Sequence, residues 1–140
     1  MPDEPKKADE TPLKVEKAKE ISLPTAVLAL ESSADGKTAF AACHDGGVFS
    51  VDLESGKHEL LGKHESYASS VALLPDGVTL ISAGYDGVLL WHDLKERKTM
   101  RRVKAHEFWS WNMDVSADGA LIASVTGRYE AGGYKYEPAL

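Results

Sequence analysis

The chain has 140 residues, a formal net charge of −6 and a pI near 5.3. This is a size for one domain at most, and its acidic balance argues against nucleic-acid binding, which needs a basic face to neutralise phosphates. Hydrophobic residues are 43% and charged residues 27% of the chain, enough apolar material for a packed core. No run of about 18 apolar residues is present to span a membrane. No apolar stretch follows the charged start MPDEPKKADE, as a secretory signal would require, so a cytoplasmic location is the expectation. Cys43 is the single cysteine, which excludes an internal disulfide and leaves no cysteine framework for zinc.

Residues 1–20 mix both charge signs with three prolines and, after Met1, hold only Leu13 and Val15 as large apolar side chains. Such a segment cannot bury enough surface to offset the entropy of ordering, and it reads as a flexible charged leader or linker. A short helix over Leu13–Ile21 is the competing reading, since Lys and Glu are good helix formers. From about Ile21 to residue 140 the pattern is β. Short apolar runs (VLAL, TAFAAC, GVFSVDL, HELL, SSVALL, TLISAG, VLLWHDL, TMRRV, SWNMDV and LIASV) alternate with Asp-Gly and Ser-Gly turn signals. Dense turns between short strands predict antiparallel meanders and not βαβ units.

A repeat organises these runs. Asp35-Gly36, Asp76-Gly77 and Asp118-Gly119 are 41 and 42 residues apart, and Asp45-Gly46 and Asp86-Gly87 are 41 apart. Asp52-Leu53 and Asp93-Leu94 are also 41 apart, whereas His64 and His106 are 42 apart. The extra residue therefore lies between the Asp-Leu pair and the histidine, and the turn ESGK against KERK is where an insertion is expected. A period of about 40–45 residues holding four strands is the signature of propeller blades. A lone sheet would leave its apolar faces wet, so such blades must stack around an axis.

The segment HESYASSVALLPDGVTLISAGYDGVLLWHDL resembles the WD (tryptophan–aspartate) repeat family. It has a histidine, a first strand ending in Pro-Asp-Gly, a second strand with serine, a turn aspartate and a third strand closing near Trp-Asp. The resemblance runs from about Ala26 to the C-terminus and implies that His64, Ser82 and Asp86 form a buried hydrogen-bond network within a blade. His106 and Ser124 repeat the first two positions. The tryptophan that completes the network belongs just before Asp-Leu, where this chain has Val51 and His92, and Trp91 sits one place early on the opposite strand face. Arg128 replaces the turn aspartate of the third repeat, and Leu23 and Ala41 take the histidine and serine places of the first. No complete network is therefore expected in any blade.

The fold expected is an all-β partial β-propeller of four-stranded antiparallel blades, spanning about 26–63, 64–105 and 106–140, with the third incomplete. Closed propellers need at least four blades, so a fragment of a longer chain or an oligomer-completed propeller is expected, and the segment GGYKYEP reads as a strand awaiting a partner. Catalysis by Ser82, His64 and Asp86 is disfavoured, because the resemblance buries them and no Gly-x-Ser-x-Gly elbow or exposed oxyanion pocket is evident. Cys43, His44 and Asp45 are adjacent, so their side chains alternate in direction at β spacing and cannot converge on a metal. No cofactor site is expected. The glycines of DGG and AGGYK lack a following helix with the lysine that phosphate binding requires. The best interaction residues are Tyr67, Trp109 and Trp111, since large aromatics dominate binding hot spots, with inter-blade packing the competing reading. A non-enzymatic protein-interaction scaffold follows, with a protein partner or self-association and without nucleic acid or membrane. A truncated reading frame without independent activity, or a non-catalytic module of a larger enzyme, is the alternative.

Overall fold

The computed structural model describes residues 12–130 and 133–139, and no helix occurs among them. Strands β1 (Val27–Ser32), β2 (Thr38–Cys43), β3 (Gly47–Asp52) and β4 (His58–Lys63) form one antiparallel sheet in chain order. A second is made by β5 (Ala68–Leu73), β6 (Thr79–Gly84), β7 (Val88–Asp93) and β8 (Lys98–Lys104). A third holds β9 (Ser110–Val115), β10 (Ile122–Glu130) and β11 (Gly133–Ala139), and is three-stranded. The three Asp-Gly pairs of longest period close the β1–β2, β5–β6 and β9–β10 hairpins, with their glycines at φ between 68° and 71°. Asp35, Asp76 and Asp118 accept backbone N–H groups two residues on, at 3.0, 2.8 and 3.0 Å, which is how aspartate favours such turns.

The sheets stack as blades. Contacts between them concentrate on β1, β5 and β9, which lie side by side, and thin out toward β4 and β8. Consecutive residues of one strand serve opposite interfaces. Leu80 joins Phe40, Ala42, Val48 and Leu61 between the first two blades, while Ile81 joins Ala72, Leu89 and Met113 between the second and third. Polar links add to this packing, with Ser69 Oγ donating to Ser110 O at 2.8 Å.

Residues 12–26 contain no helix, so the Leu13–Ile21 alternative is not the conformation found. Ile21 and Leu23 pack on the outer face of the first blade against Ala41, Cys43, Phe49 and Val51, and Lys19 Nζ donates to the carbonyls of Leu53 and Glu54. Leu23, Ala41 and Val51 stand where the second repeat has His64, Ser82 and His92, so one set of positions is apolar in the first blade and polar in the second.

Two sequence expectations are corrected by the register. The extra residue of the second repeat is not in the KERK turn. Lys98 pairs with Asp93 as Lys57 O accepts from Asp52 N, and both turns are capped by their aspartate, with Ser55 N and Glu96 N donating to it. Lys63 and Lys104 still pair with Gly47 and Val88, both 41 apart. The insertion is Ala105, in the crossover to the third blade, where the N–H groups of Ala105 and His106 both donate to Gly87 O at 3.0 Å. Arg128, expected at a turn, lies inside β10 and pairs with Lys135, because β10 runs on to Glu130.

Candidate functional site

The buried centre of the second blade is a hydrogen-bond chain. His64 lies in the crossover from β4 to β5 and is 2% exposed, and Ser82 and His92 are fully buried. His64 Nδ1 lies 3.1 Å from Asp86 Oδ1, and its Nε2 lies 2.8 Å from Ser82 Oγ. Ser82 Oγ is in turn 2.8 Å from His92 Nε2, and His92 Nδ1 is 3.2 Å from Thr99 Oγ1. With His92 neutral and Asp86 ionised, one donor order satisfies every group: Thr99 donates to His92, His92 to Ser82, Ser82 to His64 and His64 to the Asp86 carboxylate. The expectation of no complete network is thus corrected. Histidine at position 92 supplies the polar ring nitrogen that the family takes from tryptophan.

Burial pushes the His92 pKa down to about 4, with the nearby His64 acting in the same sense. For Asp86, burial works to raise the pKa, but hydrogen bonds from His64 and the Glu65 amide outweigh it and hold the carboxyl below its ordinary value. Space for the rings comes from glycine. A Cβ on Gly84 would overlap the His64 ring, and one on Gly62 of the neighbouring blade would stand 2.7 Å from His92 Cε1. In the third blade His106 Nε2 lies 2.7 Å from Ser124 Oγ. Ser82 is fully buried, and this chain of groups ties the strands of the second blade to one another and to the crossover that enters it.

The exposed feature above it is a ridge of aromatic rings. His44 stacks on Tyr67 at 4.1 Å between ring centres, and Tyr67 meets Tyr85 at 5.3 Å. Tyr85 meets Trp109 at 6.4 Å and Trp111 at 6.2 Å, and Phe108 packs edge-on to Trp109 at 6.3 Å. The ridge is built by the repeat. His44 and Tyr85 each precede an Asp-Gly turn, and Tyr67 and Trp109 each sit in the crossover entering an inner strand. Trp111 is the bulged residue of β9, at the place of Leu28 in β1 and Ser69 in β5, and a bulge re-aims the side chain it carries. Tyr67 is 39% and Trp111 53% exposed. Trp109 is half-buried, its indole lying so close over Gly127 that any Cβ there would overlap it.

The WD domain, G-beta repeat family model matches residues 57–93, which run from just before β4 to the end of β7 and take in His64, Ser82, Asp86 and His92. The chain thus carries a WD repeat over these residues. It is 34% identical over 98 residues to the protein groucho of Drosophila melanogaster, covering 67% of this chain and 13% of that protein. Among solved structures it resembles U3-55K with a TM-score of 0.68 and the WD40 repeats of RRP9 with 0.67, each at 15% identity, covering 76% of this chain and 36% of theirs. The WD-repeat chain thus spans about an eighth of the curated relative and about a third of these structural neighbours. Its fold is that of a propeller with an incomplete third blade.

Tyr67, Trp109 and Trp111 are brought together, but the ring that joins them is Tyr85, with His44 at the far end. Both were legible in principle, since each is the residue before an Asp-Gly pair of the 41-residue period. Cys43 is buried beside Phe49, away from the exposed His44, and burial raises its thiol pKa. Among the described residues no group of three or more His, Cys, Asp or Glu side chains is placed to hold a metal, and no helix is long and apolar enough to cross a membrane.

Proposed function

We propose that this WD-repeat domain is a non-enzymatic interaction scaffold whose aromatic ridge docks a protein partner. The observation that carries the reading is the continuity of rings from the first blade to the third, at positions the repeat brings to one end of the sheets. Tyrosine and tryptophan give large contact area for little lost side-chain entropy and dominate interface energetics. The net charge of −6 favours a protein over a nucleic acid here. The outer faces of the end blades are completed by further blades, from a longer polypeptide containing this sequence or from a second copy. Leu30 at 66%, Leu60 at 52% and Val125 at 41% exposure support that requirement.

Peptides selected on the full chain from a random library provide the test. They are expected to bind Trp111→Ala at least about tenfold more weakly, with the Tm within about 2 °C of the parent, because Trp111 is exposed. Trp109→Ala is expected to cost about 2 kcal/mol of stability, since it strips a ring packed over Gly127. Peptides that bind Trp111→Ala and Tyr67→Ala as tightly as the parent would remove the ridge as the docking surface.

A further inference from the structure

The outer strand of the second blade carries charges of one sign. Lys98, Arg101, Arg102 and Lys104 place four cations and no carboxylate on β8, and all four are exposed. The equivalent strand β4 of the first blade holds one of each, Glu59 and Lys63. Strand β8 pairs with β7 on one side, and among the described residues no strand pairs with the other. A free edge presents unpaired backbone N–H and C=O groups to any extended chain of compatible charge.

From this juxtaposition we infer that β8 is a docking edge for an acidic segment of a protein partner, added as an extended antiparallel or parallel strand. Charge decides the occupant. Pairing of two copies of β8 would oppose cation to cation, which disfavours a second copy at this edge. An acidic strand meets the same cations with attraction. The overall charge of −6 does not cancel this, because exposed charges beyond about 8 Å are largely screened at physiological salt. Present contacts of the cations are of the weak, exposed kind. Arg102 pairs with Glu65 at 3.1 Å, Lys98 lies 3.9 Å from Glu96, Lys104 donates to Asp86 O at 2.5 Å, and Arg101 sits 4.9 Å over the Trp91 ring. Surface ion pairs contribute little, so incoming carboxylates can displace them. A peptide is favoured over a nucleic acid because only a peptide can also pair with the strand edge.

The test uses the full chain and fluorescent ten-residue peptides. A peptide of alternating Glu and Val is expected to bind, and to weaken at least about tenfold for the double variant Lys98→Glu/Arg102→Glu and about threefold for Lys98→Gln/Arg102→Gln. Replacing alternate valines by proline, which removes backbone donors at unchanged charge, is expected to weaken binding at least about fivefold. A peptide of alternating Lys and Val is expected not to bind. Equal affinity for the proline peptide or for a single-stranded oligonucleotide of the same charge would overturn strand addition. Unchanged binding by the glutamine variant, which keeps the strand's shape, would overturn β8 as the site. Trp111→Ala is expected to leave this binding unchanged, which separates it from the ridge.

Discussion

Gly87→Ala is expected to lower stability by about 3 kcal/mol or more and the Tm by more than about 10 °C, and Gly46→Ala to do nearly the same. Two costs add at each position. Both glycines hold positive φ, 72° at Gly87 and 89° at Gly46, where a Cβ costs about 1 kcal/mol or more. Both also lie under the crossover that leads into the next blade. A Cβ on Gly46 would stand 2.5 Å from the carbonyl oxygens of His64 and Ser66, and one on Gly87 would overlap those of His106 and Phe108. Those atoms are backbone, and His64 N and His106 N donate to Gly46 O and Gly87 O, so relief would break the clamp between blades. Gly77 is the control. Its φ of 69° is similar but nothing lies within 4 Å of its Cβ position, so Gly77→Ala should cost only about 1 kcal/mol. Thermal melts of the three variants decide the matter, and equal losses would show that the crossovers do not clamp.

Acidification from pH 7 to pH 4 is expected to remove about 3 kcal/mol of stability through His92. The folded pKa of about 4 lies below the unfolded value of about 6.5. Between these values the unfolded chain binds a proton that the folded one refuses, so stability falls as pH drops through this window and is fully present above it. His106, whose pKa is lowered by burial and by Lys104, contributes in the same direction. Asp86 acts separately: its lowered pKa places its loss of stabilisation below the ordinary carboxylate range. His92→Gln keeps a polar partner for Ser82 without a titrating ring, so urea midpoints of this variant should change much less over the same range. A parent curve that is flat from pH 7 to pH 4 would contradict the buried, neutral His92.

The blades were legible because Asp-Gly turns report backbone geometry directly, and a glycine at positive φ every 41 or 42 residues leaves little freedom in where hairpins close. Network membership was legible for His64, Ser82 and Asp86 only through the resemblance to the WD-repeat pattern. It was not legible for His92, because a family pattern names tryptophan there, and only the structure shows that Gly62 leaves room for a hydrogen-bonded imidazole. Placement of the extra residue failed for a related reason. Surface turns usually absorb insertions, but the aspartate caps at Asp52 and Asp93 fix these turns, while the Gly87 carbonyl accepts two N–H groups and tolerates Ala105. The packing of Ile21 and Leu23 on the first blade was hidden because a short apolar pair at the end of a charged stretch has no periodicity to reveal it.

Everything rests on neighbouring residues of β6 facing different blades. Methyl-to-methyl and methyl-to-ring Overhauser contacts in solution test this most directly. Leu80 is expected to show contacts to the Phe40 and Val48 cluster, and Ile81 to Met113. If both residues contacted the same set, or neither contacted residues about thirty to forty positions away, the stacked-blade arrangement would be contradicted.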